Sequence, residues 1–374
     1  MPSSHCRGVR LELLRYDPVG EVEQRMNRTD PSSEQQSLTT QQVLDLAMQH
    51  HTAGRLPEAE KIYQQLLQTD PNHPDALHLI GVIAHQVGQN DRAVALITKT
   101  LAIKPDFAEA HSNLGLALKE LGRLGDALPH YHKALAIKPD FPEAHSNLGL
   151  AVQELGQLDD AITHYQKAIG IKPNYAEAYY NLGNAFQEHG VLDEAVTSYN
   201  KALDIKPDYA EAYNNLGSAL RNLGRLDDAV ANYHKALDVK LNYAEAYNNL
   251  GSVLKEMGRL DEAVTSCHKA ITIKPDFAEA FFNLGNAFQD LGKLDEAVAS
   301  YQKTLAIKSD FADAHSNLGS AFQKLKRLND AVVCYQKSIE IKPDYTLAHV
   351  NLGATLRELG RPDDAVKRID VALS

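Results

Sequence analysis

Apolar residues recur along most of the chain at helical spacing. In 210–243, AEAYNNLGSALRNLGRLDDAVANYHKALDVKLNY, the residues Tyr213, Leu216, Gly217 and Leu220 fall at i, i+3, i+4 and i+7, one face of an α-helix. Ala229, Val230, Tyr233, Ala236 and Leu237 form a second stripe of the same period. Gly224 lies between the stripes, where a left-handed residue ends the first helix at little steric cost. The pattern predicts a helical hairpin too small to bury its own apolar faces, so its neighbours must complete the core.

Those neighbours repeat it every 34 residues. Gly81, Gly115, Gly149, Gly183, Gly217, Gly251, Gly285, Gly319 and Gly353 keep that spacing, as do the alanines from Ala59 through Ala229 to Ala365. Residues 40–374 therefore resemble the tetratricopeptide repeat (TPR) family. The family's first aromatic position is met by Tyr213, its Leu-Gly by Leu216-Gly217, its alanine by Ala229 and its later aromatic by Tyr233. The resemblance implies an all-α fold, a solenoid of about ten 34-residue hairpins wound into an α-α superhelix. Hairpins start at residues 40, 74, 108, 142, 176, 210, 244, 278, 312 and 346.

Each signature residue has a packing reason. Gly217 and Ala229 lack bulk, so the first helix of a repeat (A) can lie close against the second (B). The tyrosines Tyr131, Tyr165, Tyr199, Tyr233, Tyr301 and Tyr335 are expected to fill the gap toward the next repeat. Prolines such as Pro105, Pro139, Pro173 and Pro207 follow helix B, where a missing N–H helps to stop it.

Departures from the pattern mark expected weak points. The first two repeats are the least regular, with Ala47 for the glycine and Ile97 for the tyrosine. Cys267 replaces a tyrosine, which predicts a gap worth ~1–3 kcal/mol. Leu241 and Ser309 replace inter-repeat prolines, and Lys326 replaces a turn glycine, where a positive φ would cost roughly 1 kcal/mol. The last repeat stops at Ser374 after 29 of 34 positions, which predicts poor closure of the array or a natural chain that continues. Residues 1–39 are polar without a continuous apolar run and read as a disordered lead-in, with Met26 an alternative start.

Charge and composition narrow the partners. A net charge of −11 and a pI near 5.8 argue against nucleic acid, whose phosphates need a basic stripe. No apolar run approaches the roughly 18 residues of a membrane span. Cys6, Cys267 and Cys334 are too few and too irregular for a disulfide framework, which predicts a reducing, cytoplasmic setting. Partners are then proteins or peptide segments.

Function falls to the face that the core leaves free. On helix A, positions 2, 5, 6, 9, 12 and 13 point away from the apolar stripe, and the TPR resemblance implies that this side lines a concave groove. Position 6 carries Asn113, Asn147, Asn181, Asn215, Asn249, Asn283, Asn317 and Asn351. An Asn row offers a donor and an acceptor at each step and can hold the backbone of an extended peptide. The same row can instead pair with the neighbouring helix and fix the repeat spacing. The ladder, with the segments NLG and IKPDFAEA, is similar to the TPR arm of O-GlcNAc transferases; Asp45 and Leu79 stand in place of its first rungs. Tyr180 and Phe282 at position 5 are candidate hot spots. The glutamates of position 2, among them Glu109, Glu211 and Glu245, read as compensation of the helix dipole.

Other chemistries find no support. The chaperone-type carboxylate clamp needs a lysine at position 5, where none stands. The motifs G-x-x-x-x-G-K-[ST], H-E-x-x-H and G-x-S-x-G are all missing from the sequence. His111, His145, His315 and His349 share the first aromatic position and read as packing residues; His130 and His132 face different ways on one helix. No catalytic residue, metal site or cofactor is expected. The sequence reads as an interaction scaffold, or as the substrate-recruiting arm of an O-GlcNAc-transferase-like enzyme whose catalytic part lies outside this chain. End-to-end self-association through an uncapped last repeat is a third possibility.

Overall fold

A computed structural model describes residues 39–361 and 363–365. The expected lead-in over 1–38 and the expected poor closure over 366–374 lie outside the described residues. Thr39 belongs to the first helix rather than to the lead-in. Its hydroxyl accepts from the Gln42 N–H while the Gln42 side chain accepts from the Thr39 N–H, a capping box.

All regular elements among the described residues are α-helices, and the chain divides after Ile171 into two compact units. The first unit contains α1 (Thr40–Thr52), α2 (Leu56–Thr69), α3 (Pro74–Gln86), α4 (Asn90–Ile103), α5 (Ala108–Glu120), α6 (Leu124–Ile137), α7 (Pro142–Glu154) and α8 (Leu158–Ile171). The second contains α9 (Ala176–Glu188), α10 (Leu192–Ile205), α11 (Ala210–Asn222), α12 (Leu226–Val239), α13 (Ala244–Glu256) and α14 (Leu260–Ile273). It continues with α15 (Ala278–Asp290), α16 (Leu294–Ile307), α17 (Ala312–Lys324), α18 (Leu328–Ile341) and α19 (Thr346–Glu358). Within each unit an A helix packs on its own B helix, which packs on the next A helix. This is an all-α solenoid of helical hairpins. In the second unit one buried cluster runs from Ala195 and Tyr199 through Leu216, Tyr233 and Leu250 to Ala287, so no hairpin closes its core alone.

The turns form as the sequence predicts. Gly224 adopts φ +77°, which lets its N–H reach the Arg221 carbonyl and the Arg225 N–H reach the Leu220 carbonyl, both at 2.9 Å. Lys326 takes φ +60° and makes the same two bonds, so a side chain sits where the other turns use glycine.

The tyrosine of helix B also packs on the glycine of its own repeat. A Cβ on Gly217 would lie 2.8 Å from Cε1 of Tyr233, and Gly115, Gly183, Gly285 and Gly319 stand in the same relation to Tyr131, Tyr199, Tyr301 and Tyr335. The ring therefore covers the glycine of its own repeat, while Tyr233 shares one buried cluster with Tyr243 and with Ala246 and Leu250 of the next repeat. Cys267 meets Gly251 in the same way, its Sγ 2.7 Å from that Cβ position. Burial pushes the Cys267 thiol up to about 12 and the Cys334 thiol up to about 11, which makes both poor nucleophiles.

The histidines of the first aromatic position pack as predicted. Nε2 of His111, His145, His315 and His349 meets the carbonyl of Pro105, Pro139, Ser309 and Pro343 at 2.8, 3.1, 3.1 and 2.8 Å. A carbonyl only accepts, so in each case Nε2 carries the proton. These bonds tie the A helix to the turn before it.

Candidate functional site

The A helices of successive repeats approach one another: α3, α5 and α7 in the first unit, and α9, α11, α13, α15, α17 and α19 in the second. Successive B helices make no comparable approach among the described residues. Each unit thus curls toward its A-helix side, where position 6 stands.

The ladder asparagines are half-buried, and six of them spend amide N–H groups on the preceding repeat. In the second unit Asn215 Nδ2 donates to the Tyr180 hydroxyl at 3.0 Å and to Asn184 Oδ1 at 2.9 Å. Asn249 Nδ2 donates to Asn214 Oδ1 at 3.0 Å, Asn283 Nδ2 to Asn248 Oδ1 at 2.8 Å, and Asn317 Nδ2 to Asn286 Oδ1 at 2.8 Å. In the first unit Asn113 Nδ2 donates to His78 Nε2 at 2.9 Å and Asn147 Nδ2 to Ser112 Oγ at 3.3 Å. Asn181 and Asn351 hold the same register and the same partial exposure. The bonds fix which end of each amide turns inward. They leave Oδ1 of Asn249, Asn283 and Asn317 without a donor among the described residues.

Position 5 supplies most of these partners. Asn214 and Asn248 are buried and accept from the next rung. Tyr180 is half-buried, its ring 4.9 Å from Tyr209 and 6.0 Å from Tyr199. Phe282 stands likewise 4.8 Å from Phe311 and 6.0 Å from Tyr301. Both rings are wedged between repeats with one edge open. Burial also raises the pKa of the Tyr180 hydroxyl, which stays a neutral donor and acceptor.

The glutamates of position 2 are occupied. Lys240 Nζ lies 3.1 Å from Glu211 and 4.3 Å from the Tyr243 ring centre; Lys274 lies 3.8 Å from Glu245 and 4.7 Å from the Phe277 ring. The first unit repeats the station with Lys138, Glu109 and Phe141. These pairs are exposed and each adds only ~0–1 kcal/mol, but they neutralise the acidic row beyond simple dipole compensation. The sequence reading missed both this station and the relay from position 5 to position 6. The partners from position 5 stand 35 residues before their rungs, one residue more than the repeat period.

No group of three or more His, Cys, Asp or Glu side chains suited to a metal ion occurs among the described residues. No helix among them is long and apolar enough to cross a membrane.

Comparison with known proteins agrees with the architecture. The family model described as TPR repeat matches residues 116–156, 153–190, 188–224, 217–258, 251–292 and 285–326. Three models described as tetratricopeptide repeat match residues 50–117, 312–345 and 334–367. Among curated proteins none matches. Among solved structures, the APC/C hetero-tetramer Cut9-Hcn1 aligns over 85% of this chain and 67% of its own, at 17% identity and a TM-score of 0.57, a likeness of fold. MamA is 33% identical over 43% of this chain and 95% of its own, with a TM-score of 0.41. YrrB, a TPR protein with an unusual peptide-binding site, is 27% identical over 49% of this chain and 95% of its own, also at 0.41.

Proposed function

The chain belongs to the tetratricopeptide-repeat family, and we propose that it is a protein-interaction scaffold that binds an extended peptide on its A-helix face. The observation that carries this reading is the orientation of the ladder amides. With Nδ2 held by the preceding repeat, Oδ1 of Asn249, Asn283 and Asn317 forms a row of fixed acceptors. Backbone N–H groups of an extended segment match such a row, and binding through them does not depend on the partner's side chains. Phe282 stands beside Asn283 in the row and Tyr180 two repeats before Asn249, and both offer apolar edges for side chains. Little ordering is needed on the protein's side, because the amides are already oriented.

The setting proposed is cytoplasmic, consistent with two free buried thiols. The alternative role, a substrate-recruiting arm for an O-GlcNAc-transferase-like enzyme, rests on the likeness of the ladder and of IKPDFAEA. It predicts that O-GlcNAc transferase activity co-purifies with the chain; a tagged chain that never retains such activity removes it.

The test is photocrosslinking from the two faces. A photoreactive residue at Asn222, exposed at the end of α11, is expected to capture partner peptides. The same probe at Thr265, exposed on α14, is expected to capture none. Equal capture from both positions refutes the A-face reading.

A further inference from the structure

Two successive repeats pair histidines across their own hairpin. His111 on α5 faces His130 on α6, and His145 on α7 faces His164 on α8, each pair 19 residues apart and the two related by the 34-residue period. In both pairs the Nδ1 atoms stand 3.1 Å apart. The rings are inclined at 27° and 30° with centres at 5.3 and 5.4 Å. The corresponding partner in later repeats is Ser198, Asn232, Ser266, Ser300 or Cys334, so the double histidine belongs to these two. His130 and His164 are partly open to solvent.

One ring of each pair has a fixed tautomer. His111 Nε2–H donates to the Pro105 carbonyl at 2.8 Å and His145 Nε2–H to the Pro139 carbonyl at 3.1 Å. Their Nδ1 lone pairs therefore point at the partner ring. A histidine whose far nitrogen is held by a backbone carbonyl is the usual arrangement around a bound metal ion. Without a metal, His130 and His164 must donate through Nδ1–H.

We propose that His111 with His130, and His145 with His164, form two sites for a divalent transition metal ion of the zinc type, each bound through both Nδ1 atoms. Two nitrogens at about 2.0–2.1 Å from a tetrahedral ion stand roughly 3.3 Å apart, close to the separation in the bare protein. Imidazole pairs favour zinc, copper and nickel over calcium or magnesium. On binding, the Nδ1 proton of His130 leaves and Nε2 takes one up, so no net proton is released. No third protein ligand completes either set among the described residues. The sites are therefore open, with water or a partner's side chain in the remaining positions.

The test is calorimetric titration of Zn²⁺ into the full chain at neutral pH, with nitrogen NMR of the histidine rings. H130Q is expected to weaken the first site at least ~10-fold and H164Q the second by as much, each leaving the other site unchanged. In wild type, saturating Zn²⁺ is expected to move the His130 proton from Nδ1 to Nε2 while His111 stays protonated on Nε2. A double variant that takes up as much zinc as wild type overturns the proposal. So does a His130 proton that stays on Nδ1, a result that requires no variant to fold.

Discussion

Replacing Gly217 by Ala and Gly170 by Ala is expected to move stability in opposite directions. A Cβ at 217 would stand 2.8 Å from Cε1 and 3.0 Å from Cδ1 and Cζ of Tyr233. Carbon atoms pack best at about 3.5–4.0 Å, so the overlap is about half an ångström or more. The ring cannot swing away: it is fully buried, and its hydroxyl is tied at 3.1 Å to Ser218 on the same helix as Gly217. Relief requires α11 and α12 to separate. Overpacking of this kind costs ~1–3 kcal/mol, against a helix-propensity gain of up to ~1 kcal/mol, so at the upper end of that cost the variant is ~2 kcal/mol less stable. Gly170 is exposed near the end of α8 with nothing within 4 Å of its Cβ position, so alanine there gains ~0.5–1 kcal/mol. The assay is urea unfolding by circular dichroism, supported by hydrogen exchange of the α11 and α12 amides, because a repeat array need not unfold in two states. In a Tyr233→Ala background the cost at 217 should vanish. A Gly217→Ala variant as stable as wild type, or a cost unchanged in that background, refutes the reasoning.

Two further predictions follow from individual side chains. The Tyr131 hydroxyl is buried without a partner, since Leu116 and Lys119 stand where Asn184 and Gln187 receive the Tyr199 hydroxyl at 2.8 and 3.0 Å. Tyr131→Phe is therefore expected to be neutral or stabilising by ~1 kcal/mol and Tyr199→Phe to cost about as much; thermal melts showing equal losses contradict this. His78 is buried, and desolvation holds its pKa down to about 4. The unfolded chain then binds a proton that the folded chain refuses, so stability is complete above about pH 6.5 and falls by up to ~3 kcal/mol as the pH drops toward 4. Protonation also removes the acceptor of Asn113 Nδ2. Hydrogen exchange in α3 and α5 at pH 7 and 4.5 reads the effect, which His78→Gln should reduce; protection unchanged by pH contradicts it.

The hairpins, their period and the left-handed turn at Gly224 were legible because each follows from spacing and from one residue's backbone freedom. The period also puts Lys326 at the turn position of the glycines, and its φ of +60° is what the structure adds. The direction of Tyr233 was not legible. It stands 16 residues after Gly217 and 18 before Gly251, so spacing alone cannot decide which glycine it covers. The ladder row was visible, but its donors' partners lie 31 or 35 residues away, as with Asn184 and Asn214, a relation that no helical period reveals. The histidine pairs escaped for the same reason, since their members sit on opposite helices of one hairpin.

The central proposal is that the ladder's outward oxygens hold a peptide, and the most direct measurement compares two variants that disturb the same bonds from opposite ends. One changes Asn249 and Asn283 to Ala; the other changes their acceptors Asn214 and Asn248 to Ala, which breaks the same inter-repeat bonds but keeps the rungs. Both are checked for helicity and used with wild type to capture partners from extract, with affinities then measured on a captured peptide. Loss of at least ~10-fold in affinity in the first variant only, at 1.4 kcal/mol per tenfold, is the predicted result. Equal binding by all three, or equal loss in both variants, contradicts it and leaves the asparagines as spacers between repeats.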